Sequence, residues 1–530
     1  MVNQSQKRVK WQTGGAIFLL VLIALIYLAA SPLFKGNPWV DSNAMLTIGQ
    51  AWQRGVIPYK EIFEQRGPVM FFYYYLVNLV NPYGYFGLFV IETLNLIGLW
   101  FWTKKLLALL NIKPTVQVWA ALIVPVGLVA NYSFEHGGSP EEFALFWLLG
   151  SFYFLAKFLQ TKQLTPAAVI FVGFSASAVF WIKYSLLGAW VGFVLIVLWQ
   201  LIRQKRWVYL LKTVAYFLIG FGGLTLIIWA YFASVHAWND LLHVYFTVNM
   251  SAYAASGEHH SLLVRVLGLI RPILVGFIVH PFLTVSFVAA LVWAYLKQQR
   301  HLFWLTLITT AMAALLAYWS LLRYPYIFLI VVGPMLPVIA WALADLAQRF
   351  QPKSWLYLIY ALVLLDLPNV GNIVTHTNVP VWSKQVYPAQ AFGRYIDEHR
   401  QGKTATLVYA NFIDMGVDRY TDINHRYYFF EQSNFTKKAF PAQHNYVDDL
   451  VKNQKPDYLV FDLNLTNLKQ IDLNDPKAVN KKVDPAILDK YQVVAAGSTK
   501  TIGAVYVTGP RKIDQVQYVL LSRKEAHHAD

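Results

Sequence analysis

The chain of 530 residues contains no cysteine, so neither disulfides nor thiolate metal sites can hold it together. It is also short of charge: only 14% of its residues are Asp, Glu, Lys or Arg, against about 25% in an ordinary soluble domain. Acid is the scarcer sign, with 28 Asp and Glu against 44 Lys and Arg and a formal net charge of +16. Neither a long repeat nor a low-complexity tract stands out. What is present is apolar, 57% hydrophobic and 16% aromatic. Apolar stretches long enough to cross a bilayer recur from residue 13 to about 373 and then stop. This is the composition of a polytopic α-helical membrane protein. Lys and Arg cluster in short loops between the apolar runs, the positive-inside pattern. The anionic partners implied are membrane lipids and phosphate-bearing substrates, and no nucleic acid.

The sequence predicts eleven spans, at about 13–33, 84–103, 115–131, 142–160, 165–182, 185–202, 207–234, 275–297, 302–319, 324–347 and 354–373. The first could end as a signal peptide at Ala29-Ala30-Ser31, but the spans that follow favour a retained helix. Lys104, Lys105 and Lys113 mark one inner loop, and Lys157 with Lys162 a second. Arg203, Lys205 and Arg206, then Lys297 with Arg300, then Arg349 with Lys353 mark three more. All five fall on the side of the N-terminus if two segments do not cross. These are Gly67–Asn81, rich in interfacial aromatics, and Ser261–Arg271, which read as helices lying on the outer surface. Residues 1–375 then form the transmembrane unit, with 34–83 as its first external loop. Residues 376–530 form an extracytoplasmic α/β domain. Its helices are expected at Ala389–His399 and Gln443–Gln454, its strands at Ala405–Ala410, Asp457–Phe461, Gln492–Ala496 and Ala504–Val507, and a frayed tail from Arg523.

Carboxylates beside a bilayer are costly unless paired, wetted or used, and this topology gathers them on the outer face. The first external loop brings Asp41, Glu61, Glu64 and Arg66. The second brings Glu135, His136, Glu141 and Glu142; Lys183 ends the fifth span, and Arg323, Tyr324 and Tyr326 open the tenth. The loop after the seventh span adds His236, Asp240, His243, Glu258, His259 and His260. Carboxylates and cations on one face suit transfer of a group from a lipid-linked phosphate: the acid accepts a proton from the attacking hydroxyl and the cations hold the phosphate. Each residue also has a plainer reading. Asp41-Ser42-Asn43 is a good helix start, with Asp41 as its cap. Glu61 and Glu64, a helical turn apart, read equally well as wet surface. Lys183 and Arg323 could snorkel to the interface, and neighbouring histidines such as His259 and His260 seldom bind one ion. No metal site is read.

Asp41, then Gly55-Val56-Ile57-Pro58-Tyr59, then Arg66-Gly67-Pro68 resemble bacterial GT-C glycosyltransferases, in particular glycosyltransferase family 39, the dolichyl-phosphate-mannose mannosyltransferase and aminoarabinose-transferase branch. Ser42 stands where the family often has a second acid, and Arg66 where a Lys is usual; arginine keeps the charge but changes its geometry. The segment from Tyr409 to Gly416 looks like external domains of such enzymes in Gram-positive bacteria. The resemblance implies a polyprenyl-phosphate sugar donor, Asp41 as general base, and Arg66, Lys183 and Arg323 as donor-phosphate ligands. Glu61, Glu64, Glu135, Glu141 and Tyr326 are the candidate acceptor-side or second acidic groups. The expected reaction is inverting transfer of a hexosyl or related group to a hydroxyl of a cell-envelope glycopolymer, a teichoic acid or wall polysaccharide, outside the plasma membrane. No cofactor is implied. A transporter or flippase of lipid-linked sugars and a non-catalytic wall-assembly scaffold are the alternatives.

Overall fold

The computed structural model describes residues 2–251, 262–319, 323–350, 356–357, 359–360, 378–400, 402–432, 435–463, 471–472, 483–497, 506–507, 512–513 and 517–524. Helices run α1 (Val2–Tyr27), α2 (Val40–Gln53), α3 (Pro68–Val80), α4 (Phe86–Leu109), α5 (Pro114–Ala120), α6 (Ile123–Val129), α7 (Pro140–Thr161), α8 (Pro166–Ile182), α9 (Gly188–Arg203), α10 (Trp207–Ser234) and α11 (Trp238–Leu242). They continue as α12 (Leu262–Val279), α13 (Pro281–Leu296), α14 (Arg300–Ala317) and α15 (Leu329–Phe350). Among the described residues seven helices are long and apolar enough to cross a membrane, or eight if one bent pair is a single span. The expected interval 115–131 is broken into α5 and α6, and α8 has only 17 residues. The interval 354–373 lies outside the described residues but for two short pieces.

The expected surface helix at 261–271 and the expected straight span at 275–297 become α12 and α13, which meet at 96°. Pro281 opens α13 and disfavours helical backbone at the residue before it, and His280 accordingly stands at φ −116°, ψ 63°. Burial sorts the bundle. The span Pro325–Arg349 is 94% buried and forms its centre, while Trp207–Ser234 is 11% buried and presents Leu211, Ile219, Leu226 and Ile227 outward, as a lipid-facing helix should.

The C-terminal residues form α16 (Pro388–His399), α17 (Pro441–Lys452) and a five-stranded sheet. Its strands are β1 (Leu407–Tyr409), β2 (Tyr458–Asp462), β4 (Tyr491–Gly497), β5 (Tyr506–Val507) and β7 (Tyr518–Arg523), in the order β1-β2-β7-β4-β5. A separate pair joins β3 (Ile471–Asp472) to β6 (Lys512–Ile513). β1 and β2 run parallel; β7 is antiparallel to both β2 and β4. β7 was not expected, yet it is central, with Val519, Leu520 and Leu521 fully buried. Arg523, expected in a frayed tail, ends that strand and pairs with Asp457 at 2.8 Å.

Candidate active site

The segment from Asp41 to Pro68 folds as helix, turn and helix, and each motif residue has a local task. Asp41 lies in the first turn of α2; the cap position belongs to Trp39, so the capping reading of Asp41 does not hold. α2 ends at Gln53 with Arg54 as its cap, and Gly55 supplies the left-handed φ of +89° that reverses the chain. Tyr59 is buried and its hydroxyl donates to the Arg66 carbonyl at 2.7 Å. The G-x-x-P-Y stretch is thereby tied through Tyr59 to the backbone of Arg66.

Gly67 follows, its N–H donating to the Ile182 carbonyl at 3.2 Å. A Cβ here would stand 1.9 Å from the Trp181 carbonyl oxygen. Gly67→Ala is expected to force the loop off α8 and destabilise the fold by about 1–3 kcal/mol, as overpacking does, which thermal unfolding in detergent would register.

Arg66 is the hinge of the site. Its Nη2 lies 2.9 Å from Asp41 Oδ2, its Nη1 pairs with Glu64 Oε1, and its backbone N–H donates to Glu64 Oε2 at 2.8 Å. Asp41 and Glu64 are both buried. Burial raises the Glu64 carboxyl above its ordinary range, against the opposing pull of Arg66. Glu61 separates from Glu64: it is exposed and accepts the Ile57 N–H at 2.7 Å, closing the turn. The residues 61 to 67 are not helical, so the two acids do not share a face.

The loop from Asn131 to Ser139 forms the opposite wall. Tyr74 on α3 donates to the Gly138 carbonyl at 2.8 Å and lies 3.2 Å from the Ser42 hydroxyl, tying α2 to this loop. Gly138 sits at φ +76°, and a Cβ would meet the Tyr74 oxygen at 2.6 Å. Glu135 is half-buried, and burial, Asp41 and Glu141 push its carboxyl up to about 7. Of the adjacent acids at the start of α7, Glu141 pairs with Lys183 Nζ at 2.6 Å, whereas Glu142 turns inward to accept the Gly138 N–H at 2.6 Å. Lys183 also lies 5.5 Å over the Tyr326 ring. Tyr326 stacks on Tyr324 with centroids 5.5 Å apart and meets Trp39 edge-on at 5.8 Å.

Asp41, Glu64, Arg66, Glu135, Glu141, Lys183 and Tyr326 thus converge, as the sequence suggested. Arg323 is exposed and lines the neighbouring cavity of about 230 Å³ with Arg271, His280, Tyr132, Tyr318 and Tyr324. Tyr324 lines that cavity and stacks on Tyr326 beside the Asp41 cluster, its hydroxyl raised by burial and by the field of Asp41. Arg271 escaped sequence reading because it was assigned to a surface helix. His236 and His243 are exposed, Asp240 is half-buried, and Glu258, His259 and His260 lie outside the described residues. His136 is held neutral, its pKa lowered by burial to about 4. Among the described residues no group of three His, Asp or Glu could hold a metal ion. Sequence reading also missed buried Glu431, whose carboxyl burial and Asp414 raise well above its ordinary range.

Bundle, sheet and charged cleft define a multi-pass membrane protein of GT-C-like fold. Its backbone matches the crystal structure of ArnT from Cupriavidus metallidurans in the apo state at a TM-score of 0.58 and 12% identity, over 98% of each chain. The same protein bound to undecaprenyl phosphate matches at 0.54 and 10% identity, over 86% of this chain and 95% of that one. The archaeal oligosaccharyltransferase AglB from Archaeoglobus fulgidus, in complex with an inhibitory peptide and a dolichol-phosphate, gives 0.44 at 12% identity, over 94% and 74%. No protein-family model and no curated protein sequence matches the chain.

Proposed function

We propose that the protein is a glycosyltransferase that moves a monosaccharide from a polyprenyl-phosphate donor to a hydroxyl of a cell-envelope glycopolymer, on the outer face of the plasma membrane and with inversion. The observation that carries this reading is the Asp41–Arg66 ion pair, 2.9 Å long and largely shielded from solvent. The fold it shares with a protein crystallised with undecaprenyl phosphate supports the choice of lipid donor.

Asp41 takes the proton of the acceptor hydroxyl as its oxygen bonds to the anomeric carbon, and the bond from that carbon to the phosphate oxygen breaks. Negative charge thus leaves Asp41 and arrives on the lipid phosphate. Arg66 touches the carboxylate that starts with the charge and is placed to touch the phosphate that receives it. A cation held in place through such a shift stabilises the transition state without reorganising. Lys183 extends the same role to the phosphate's other oxygens, Arg323 offers a further cation from the neighbouring cavity, and the apolar helix surfaces hold the lipid. Glu135, with its carboxyl at about 7, is half protonated near neutrality and serves as a hydrogen-bond donor to the acceptor.

The test uses purified protein in lipid vesicles with a polyprenyl-phosphate sugar and envelope polymer extracted from cells lacking the gene. Sugar appearing on the polymer is the expected result. Movement of the lipid-linked sugar across the vesicle without transfer would establish a flippase instead, and neither event would leave a scaffold.

A further inference from the structure

The helix that carries Asp41 is gripped by the C-terminal unit along one face. Asn43, Thr47, Gln50 and Arg54 recur at i, i+4, i+7 and i+11, which brings them into line on α2. Asn43 packs on Gly416, where a Cβ would stand 3.0 Å from its side chain. Thr47 Oγ1 lies 2.5 Å from Oδ2 of both Asp414 and Asp418. Gln50 Oε1 accepts from Arg419 at 2.9 Å, and Arg54 pairs with Asp422 at 2.6 Å. The loop that carries Arg66 is gripped too. The Phe63 N–H donates to the Tyr428 carbonyl at 2.8 Å, and the Tyr428 hydroxyl donates to the Tyr59 carbonyl at 3.1 Å.

We propose that Thr47, clamped between Asp414 and Asp418, is a positioning residue for Asp41, which makes the C-terminal unit a structural part of the active site. This rests on the reading of Asp41 as the base. A helix is a stiff rod in which a slip of one residue means about 100° of rotation and 1.5 Å of travel. Fixing α2 at four points along one face therefore fixes where Asp41 points in its first turn, and a misplacement of about 1 Å can cost on the order of 10²-fold in rate.

The clamp also holds a proton. A hydroxyl has a single hydrogen, so Thr47 can donate to only one of its two carboxylates, and the other contact needs a carboxyl proton. Burial and Asp418 push Asp414 up to about 7. Burial acts to raise Asp418 as well, but Arg419, His425 and Thr47 together bring it below its ordinary range. The proton therefore sits on Asp414, which donates to Thr47, which donates to Asp418. Asp418, Glu431, Tyr409 and Tyr387 face Asp414 from the C-terminal unit, and Tyr85 from the bundle. The pKa of Asp414 in the docked state exceeds its ordinary 3.8. Its contribution is therefore complete below that value and is lost as pH rises through about 7.

The test uses the full chain in lipid nanodiscs with a polyprenyl-phosphate sugar donor. Thr47→Val is expected to lower kcat by roughly 10²-fold with little change in donor KM, and Thr47→Ser to restore most of it. Hydrogen exchange should quicken over residues 40–46 in Thr47→Val and stay slow in Thr47→Ser. Asp414→Asn, which keeps a hydrogen-bond donor to Thr47 at every pH, should flatten the alkaline decline of kcat. Full kcat in Thr47→Val, no rescue by Thr47→Ser, or an unaltered alkaline decline in Asp414→Asn would each overturn the proposal. Should Thr47→Val fail to assemble, the serine and asparagine variants decide. Should the wild type transfer no sugar, the enzyme reading falls, and exchange over 40–46 alone decides the clamp.

Discussion

Asp41→Asn is expected to lower sugar transfer by roughly 10²- to 10⁴-fold, the usual worth of a positioned general base. The replacement keeps size and shape and can still meet Arg66 through its amide oxygen, so the cleft should stay folded. What disappears is the capacity to take the acceptor's proton. The same change removes one of the two carboxylates that hold Arg66, leaving Glu64. A donor phosphate then competes with less negative charge for the guanidinium, so donor KM should hold or fall while kcat collapses. An unchanged KM marks an interaction made only in the transition state, and a lower KM marks the relieved competition for Arg66 as well. Steady-state kinetics at varied donor concentration measure both constants. A variant keeping a tenth or more of the wild-type kcat would end the general-base assignment, and a rise in donor KM at constant kcat would make Asp41 a binding group instead.

Arg419→Met should cost about 3–5 kcal/mol of docking, the penalty for removing one partner of a buried ion pair. Arg419 is among the largest fully buried side chains of the molecule. Its guanidinium reaches Asn78 at 2.8 Å, Gln50 at 2.9 Å, Asp418 at 3.2 Å and the Pro82 carbonyl at 3.3 Å. Methionine fills the volume but leaves Asp418 with an uncompensated charge away from water. Lysine should rescue little, because a single ammonium cannot span acceptors on α2, α3 and the C-terminal unit at once. Limited proteolysis of the full chain should show the C-terminal unit cut well before the bundle. Wild-type resistance in the methionine variant would mean that the interface does not depend on this residue.

Seven of the long apolar helices were legible because length and hydropathy suffice to find them, while the break between α5 and α6 and the bend between α12 and α13 were not. The convergence of Asp41, Arg66, Glu141 and Lys183 followed from placing loop residues on one face. The sequence was silent where meaning depends on a distant partner. Glu61 and Glu64 look alike until the turn at Gly55 sends one to solvent and buries the other. β7 opens with the short apolar run Tyr518-Val519-Leu520-Leu521 beside a charged tail, and only β2 and β4, which flank it, make it a central strand. The stripe of Asn43, Thr47, Gln50 and Arg54 was visible as a spacing. Nothing local to that spacing names the distant residues, Asp414 to Asp422, that cover the face.

Thr47 and Asp414 stand 367 residues apart in the chain. A ribosome adding about 5–20 residues each second needs roughly 20–70 s to cover that distance. During that interval the helix bearing the proposed base has been made, and the carboxylates that will hold it have not. The cleft is therefore completed among the last events of the chain's maturation, and a message cut short after the membrane spans would yield an inserted protein with its base unanchored.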